Sequence, residues 1–190
     1  MISETDLTHL RRCVALARDS LVAGDSPFGS VLVSNSSGAV LREDRNRITT
    51  GRDVTLHPEL ALVIWAQRHL SAAERADTTV YTSGEHCPMC ATAHANAGMG
   101  RVVYVASSAQ LGKWREEMGA SPGPVALLPI SVVAPGVKCV EGPVTTADVG
   151  LLEEVMELHR LKHEQTQAQV QVQVQAQAQA RSAAGAGAEG

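Results

Sequence analysis

Cys87-Pro88-Met89-Cys90 and His57-Pro58-Glu59, thirty residues upstream, are the stretches of this chain whose residue types and spacing suit chemistry. Two cysteines in a Cys-x-x-Cys spacing can clamp a metal, exchange disulfides or simply be buried. On a helix starting at Cys87 the two thiols sit about 60° apart on one face, because each residue turns the helix by about 100°. Pro88 favours that start, since its missing N–H would have had no partner in the first turn. Cys87 then takes the N-cap, where free N–H groups and the positive end of the helix dipole favour thiolate. His57-Pro58 repeats the arrangement, with Glu59 in the first turn. Two helix N-termini can therefore converge on one cation and offer it one nitrogen and two sulfurs. Three protein ligands leave one corner of a tetrahedron open, the form of a catalytic rather than a structural zinc site. Glu59 is then a carboxylate beside the ion that is not needed as a ligand. A lone redox pair or a closed zinc knot competes with this reading.

The elements that must position these groups follow from periodicity. Leu7, Leu10, Val14, Ala17 and Leu21 keep helical spacing over Asp6 to Ala23, and Gly24-Asp25-Ser26-Pro27 ends that helix. Residues 29–34 form a buried strand, 35–38 a turn and 39–43 the return strand of a hairpin. A polar loop from Asp44 to Leu56 leads into the His57 helix, whose body (residues 60–66) is apolar nearly all round and so predicts cover on more than one side. Residues 79–82 form a short central strand, the Cys87 helix ends near Gly98, and residues 101–106 form the next strand. A long segment with Trp114 follows, from Ser107 to Pro129. Residues 130–133 read as a last strand, and Thr146 to His163 as a closing helix. An opening helix and hairpin followed by alternating helices and strands imply an α/β protein, a three-layer α/β/α sandwich with a mixed sheet of about five strands.

Length and composition set the frame. The 190 residues suit one domain, assigned here to residues 1–164. From Gln165 to Gly190 the chain changes to Gln alternating with Val or Ala, then Ala and Gly, a low-complexity tail expected to be disordered or partly helical. A net charge of −4 gives no electrostatic reason to expect a nucleic-acid partner. No apolar run is long enough to cross a bilayer, and the polar, acidic start is unlike a signal peptide, so a cytoplasmic location is expected. Four cysteines, two of them in a metal pattern, fit a reducing compartment, with Cys13 and Cys139 as buried free thiols.

In order and spacing, Asp25-Ser26-Pro27-Phe28-Gly29, Asn46, Leu56-His57-Pro58-Glu59, Tyr81-Thr82-Ser83-Gly84-Glu85-His86-Cys87-Pro88-Met89-Cys90 and Gly100-Arg101-Val102-Val103-Tyr104 form one pattern. It resembles the cytidine-deaminase-like superfamily, in its branch of guanine deaminases and tRNA adenosine deaminases. Zinc-dependent nucleobase deaminases carry H-x-E followed by P-C-x-x-C. Two departures stand out: Pro58 replaces the family's usual Ala, and His86 its usual Pro. His86 reads as a loop-surface or second-layer residue, or as a substrate contact. His94, one turn beyond Cys90, reads as packing rather than a ligand.

The resemblance implies hydrolytic removal of a ring amino group, with Zn2+ held by His57, Cys87 and Cys90 and Glu59 carrying the proton. It implies that Asn46 bonds the ring or sugar edge and that Phe28 lies near the pocket. Trp114 is a candidate for covering the site, and Glu141 a candidate second carboxylate against substrate. The leading expectation is a deaminase of a free nucleobase or related amino-substituted aza-ring, guanine-like, with cytosine, isoguanine or triazine-type rings as further candidates. Pro27-Phe28-Gly29, the acidic balance and Glu153-Glu154 favour it. The alternative is a tRNA-specific adenosine deaminase, for which His159, Arg160, Lys162 and His163 offer a basic helix. A third reading is a non-catalytic zinc scaffold, against which Glu59 argues. By resemblance the chain is expected to form a homodimer or higher homo-oligomer.

Overall fold

Ser3 starts the first helix, α1 (Glu4–Val22), through a capping box in which Ser3 and Asp6 satisfy each other's backbone N–H groups. The computed structural model describes residues 2–145 and 149–186. Leu10, Val14 and Ala17 on one stripe of α1 are buried against a sheet, and each large aliphatic side chain so buried contributes about 1.5–3 kcal/mol. Its first partner is β1 (Gly29–Ser34). A Cβ at Gly29 would lie 2.4 Å from both the Cys13 carbonyl oxygen and the Leu16 Cβ, so only glycine lets helix and strand approach this closely.

The sheet adds β2 (Val40–Arg45), β3 (Thr78–Gly84), β4 (Arg101–Ala106) and β5 (Val140–Glu141), in the order β2-β1-β3-β4-β5. β1 pairs antiparallel with β2 and β3, with Ser30 opposite Thr82, whereas β3–β4 and β4–β5 are parallel. The parallel β3–β4 step needs a crossover, which α5 (Pro88–Asn96) supplies. Alternation along the strands sends Val31, Tyr81, Val103 and Val105 to α1. Leu32 and Val80 instead meet Leu62, Val63 and Ala66 of α3 (Pro58–His69), and Val102 and Tyr104 meet Ala91 and Ile130. Closing helix α8 (Val149–Ala186) packs on α1 and β4. The result is the mixed, five-stranded α/β/α sandwich expected from the pattern.

Several local expectations are corrected. Residues 130–133 are a helical turn, α7 (Ile130–Val133), because Pro129 caps it and the Glu85 carboxylate accepts the Ile130 N–H at 2.8 Å; the last strand is β5. The loop from Asp44 contains the end of β2 and a helical turn, α2 (Ile48–Gly51), and a short helix α4 (Ala72–Ala76) precedes β3. The segment after β4 forms α6 (Ser108–Glu117), started by a Ser107–Gln110 capping box. α3 is covered by the sheet and by α5, as expected, but not all round, since Ile64 is 41% exposed. Cys139 is exposed, although Cys13 is buried. Residues 146–148, at the expected start of the closing helix, lie outside the described residues. The Gln-rich stretch continues α8 through Ala186, the helical side of what was expected of it; Ala and Gln are good helix formers. Among the described residues no helix is long and apolar enough to cross a membrane.

One buried carboxylate ties four elements together at the end of the sheet away from Cys87. Asp6 accepts hydrogen bonds from the Tyr81 hydroxyl (2.7 Å), from Arg101 Nη1 (2.6 Å) and Nη2 (3.1 Å), and from the Ser3 N–H (2.8 Å). Arg101 Nε also donates to Glu141 Oε1 at 2.9 Å, which brings in β5. Burial alone pushes the Asp6 carboxyl up, but the bonds from Arg101, Ser3 and Tyr81 outweigh it and hold the group well below the carboxylate range. A depressed folded pKa stabilises the fold above the unfolded value of about 3.9 and loses that contribution as pH falls. Asp6→Asn is therefore expected to cost about 2–4 kcal/mol at neutral pH and to flatten the loss of stability below about pH 4. Urea unfolding between neutral and acid pH checks both; an unchanged neutral midpoint contradicts the assigned role.

Candidate active site

Two helix N-termini meet beyond the end of β3. His57 caps α3 with Pro58 at its first position, and Cys87 caps α5 with Pro88 at its first position. Neither residue makes a side-chain capping hydrogen bond, and the two side chains face each other. His57 Nδ1 lies 3.7 Å from Cys87 Sγ and 3.7 Å from Cys90 Sγ, and the two sulfurs are 3.6 Å apart. Bonds of about 2.3 Å to sulfur and 2.0–2.1 Å to nitrogen at tetrahedral angles require donor separations of about 3.5–3.8 Å. The three donors thus already form one face of a zinc tetrahedron. Among the described residues they are the sole His/Cys/Asp/Glu group that could hold a metal ion. Contact between the two thiols pushes Cys87 down, against burial and with help from His57, and pushes Cys90 up, so the pair favours one thiolate at Cys87. Its cap position on α5 acts in the same direction. A preformed thiolate is the protonation state that a metal needs.

Glu59 is 3% exposed and lies outside the three-donor group. Its Oε2 is 3.7 Å from Cys90 Sγ, while its Oε1 accepts a bond from the Thr82 hydroxyl at 3.1 Å. Thr82 in turn receives the Ser30 hydroxyl at 2.9 Å. A chain of hydroxyls thus leads from the sheet to one oxygen of Glu59 and leaves the other turned to the sulfurs. Burial raises the Glu59 carboxyl above its ordinary value, only partly opposed by His57.

Asn46 is buried, and its Oδ1 accepts the Ile48 N–H at 3.1 Å. Its Nδ2 is buried with no partner among the described residues, a costly state unless a ligand supplies an acceptor. Asp25 fixes the Asn46 segment: it accepts the Thr49 and Thr50 N–H groups, the Thr50 hydroxyl and Arg45 Nη1. Phe28 lies against Gly84, where a Cβ would come within 2.9 Å of its ring. Its ring is 5.0 Å from that of His159, and the Trp114 ring is 6.2 Å from the same imidazole. Trp114 is largely buried in the core beneath α1 and α8.

Glu141 is not brought to this cluster. It pairs with Val103, which faces α1, and bonds Arg101 near the start of β4, whereas His57, Cys87 and Cys90 lie beyond the opposite end of β3. The candidacy of Glu141 as a substrate carboxylate is therefore corrected to a structural ion pair. His86 is fully buried, not a loop-surface residue, and its ring sits 5.2 Å from that of His94. His94 Nε2 bonds the Gly100 carbonyl at 2.9 Å, so His94 holds the β4 approach rather than a metal. Thr82, Asp25 and Glu85 lie around the site with no role of their own expected from the sequence, and His159, expected only as part of a basic helix, meets Phe28. Period-two alternation could have placed Thr82 on the Glu59 face; the other three depend on contacts between distant segments.

The family described as "Cytidine and deoxycytidylate deaminase zinc-binding region" matches residues 3–106, more than half of the chain. A guanine deaminase of Bacillus subtilis is 42% identical over 84 residues, 44% of this chain and 53% of that one. The chain thus spans about half the length of that relative. A probable cytosine deaminase of Schizosaccharomyces pombe is 31% identical over 124 residues, 64% of this chain and 72% of that one. A chloroplastic tRNA(adenine(34)) deaminase of Arabidopsis thaliana is 31% identical over 107 residues, 56% of this chain and 8% of that one. The structure of a guanine deaminase from Nitrosomonas europaea superposes with a TM-score of 0.64 over 86% of each chain at 20% identity, a likeness of fold.

If the three donors hold the ion, Cys87→Ala is expected to lose at least tenfold in zinc affinity. Elemental analysis of the purified variant beside the unaltered chain measures this. Equal zinc content in the two would remove Cys87 from the ligand set.

Proposed function

The chain belongs to the cytidine and deoxycytidylate deaminase zinc-binding family, and from that membership we propose that it is a hydrolytic deaminase of a free nucleobase or closely related amino-substituted aza-ring. The observation that carries this reading is the buried Glu59 carboxylate beside, but outside, the His57–Cys87–Cys90 triangle. Zinc held by those three residues supplies Lewis acidity that brings the pKa of a water towards about 7. Glu59 Oε2 takes a proton from the attacking water and delivers it to the ring nitrogen, then takes the second proton from the hydroxyl now on the ring carbon and delivers it to the amine, which leaves as ammonia while the carbonyl forms. Thr82 holds Oε1 still during these transfers. A carboxyl raised by burial suits a group that must both accept and return a proton.

Asn46 Nδ2 donates to an acceptor on the ring, which satisfies the orphaned amide. Phe28 supplies an aromatic wall beside Gly84, and Trp114 supports that wall through His159. Guanine and cytosine deaminases among the relatives favour a free base, as does the net charge of −4. The tRNA adenosine deaminase relative favours the second reading, adenosine in tRNA. A homo-oligomer in a reducing cytoplasm completes the proposal; Ile64 and Met89, on the two helices that bear the metal donors, are exposed.

A panel of guanine, cytosine, adenine, triazine-type amines, nucleosides and tRNA, scored by ammonia release, tests the reading. Turnover of a free base is expected; turnover of tRNA alone would select the second reading. Glu59→Gln is expected to keep its zinc and lose at least about a thousandfold in turnover. Ammonia release at the unaltered rate by that variant would take Glu59 out of the reaction.

A further inference from the structure

Behind the Phe28 wall lies a groove of about 310 Å3 between α6 and α8. Ser26, Phe28, Arg115, His159, Lys162 and His163 line it, and none of its lining residues is a carboxylate. That is a local inversion in a chain of net charge −4. Elsewhere Arg12, Arg18, Arg45, Arg47, Arg101, Lys113 and Arg160 stand in ion pairs. Arg115 and Lys162 have no carboxylate partner among the described residues. Lys162 Nζ is held over the groove by the Gly24 carbonyl at 2.7 Å, which leaves further N–H donors unused. Arg115 makes a single long bond, 3.4 Å, to the Ser121 carbonyl. His159 makes no hydrogen bond to a described residue. Burial, with the Arg115 charge adding, brings its imidazole down to about 4, so at neutral pH it is a neutral donor or acceptor.

We propose that this groove binds the phosphate group of a small molecule. Two fixed cations match a phosphate dianion, and the guanidinium offers the paired N–H donors that phosphate oxygens accept. The Ser26 and Thr166 hydroxyls and the imidazoles add neutral donors around the same space. The concave shape and volume suit a compact ligand rather than a backbone tracking across a surface. Phe28 and His159 also line a second, smaller cavity together with Gly84 and Glu85. The groove and this cavity share Phe28 and His159, and the cavity's Gly84 is three residues from Cys87, at most about 10 Å of chain. The groove lies outside the set of zinc donors and binds phosphate whether or not the metal is loaded.

The test is calorimetric titration of the full chain with inorganic phosphate, adenosine and adenosine monophosphate. Saturable phosphate binding is expected, weakened about tenfold in Arg115→Gln and again in Lys162→Gln. Glu157→Gln, altering an exposed side chain outside the lining, is expected to bind as the unaltered chain does. Binding of the monophosphate tenfold tighter than either inorganic phosphate or adenosine assigns the groove to a nucleotide; equal binding of monophosphate and inorganic phosphate assigns it to free phosphate. Both outcomes support the site. No saturable binding, or binding unchanged in both variants while their melting temperatures match the unaltered chain, overturns it. So does single-stranded RNA that outcompetes phosphate with a log–log salt slope steeper than about −2, which corresponds to three or more phosphates.

Discussion

The rest of the structure depends on one constraint: three donor atoms from two helix caps must stay within 3.6–3.7 Å of one another. Neither helix can do this alone. α3 enters from the β2 side of the sheet and α5 from β3, so their separation is set by the strands beneath them. Leu62, Val63 and Ala66 of α3 pack on Leu32 and Val80, and Ala93 of α5 packs against the same cluster; interiors of this kind deform little. Proline at the first position of each helix fixes the local backbone without removing a needed N–H. The site is thus held by packing and by backbone geometry, before any ion contributes.

Buried carboxylates do the long-range fastening. Asp6 joins the start of α1 to β3 and β4. Asp25 collects the N–H groups at the start of α2 and so holds the segment that carries Asn46. Glu85 accepts the Ser108 and Ile130 N–H groups, joining the starts of α6 and α7 two residues before Cys87. Each acid lies where backbone donors would otherwise be orphaned, and anions at helix starts are further favoured by the dipole. Glu59 differs in kind. It has one hydroxyl partner and sulfur for a neighbour, so its charge is not consumed by the scaffold.

Unsatisfied polar atoms lie next to the same constraint. Asn46 Nδ2, both nitrogens of His86 and Nδ1 of His94 are buried without described partners. Asn46 can be answered by a ligand in the pocket. The histidines form an edge-to-face pair in place of the family's proline before the first cysteine, and they make the floor beneath α5 polar. Burial lowers His86 well below its ordinary value, with His94 adding, so the pair is neutral and packs as aromatic rings.

Much of the site was legible because it is local. A proline after His57 and after Cys87, a Cys-x-x-Cys spacing and a carboxylate two residues from a ligand are short-range patterns with direct geometric meaning. The strands β1 and β4 and helix α1 were legible for the same reason, through strict periodicity. Residues 130–133 misread as a strand because β-branched residues favour one, whereas the outcome hung on Glu85 forty-five residues earlier. Glu141 looked available because sequence cannot show that the Arg101 side chain reaches it from the neighbouring strand. The covering of α3, the burial of His86 and the cationic groove between α6 and α8 likewise depend on which segments meet. The sequence by itself determined the candidate donors, the carboxylate beside them and the order of the layers, since these rest on residue type and spacing. Only the tertiary structure decided which charges are neutralised and which stay free, because pairing across tens of residues is settled when the sheet brings distant strands together.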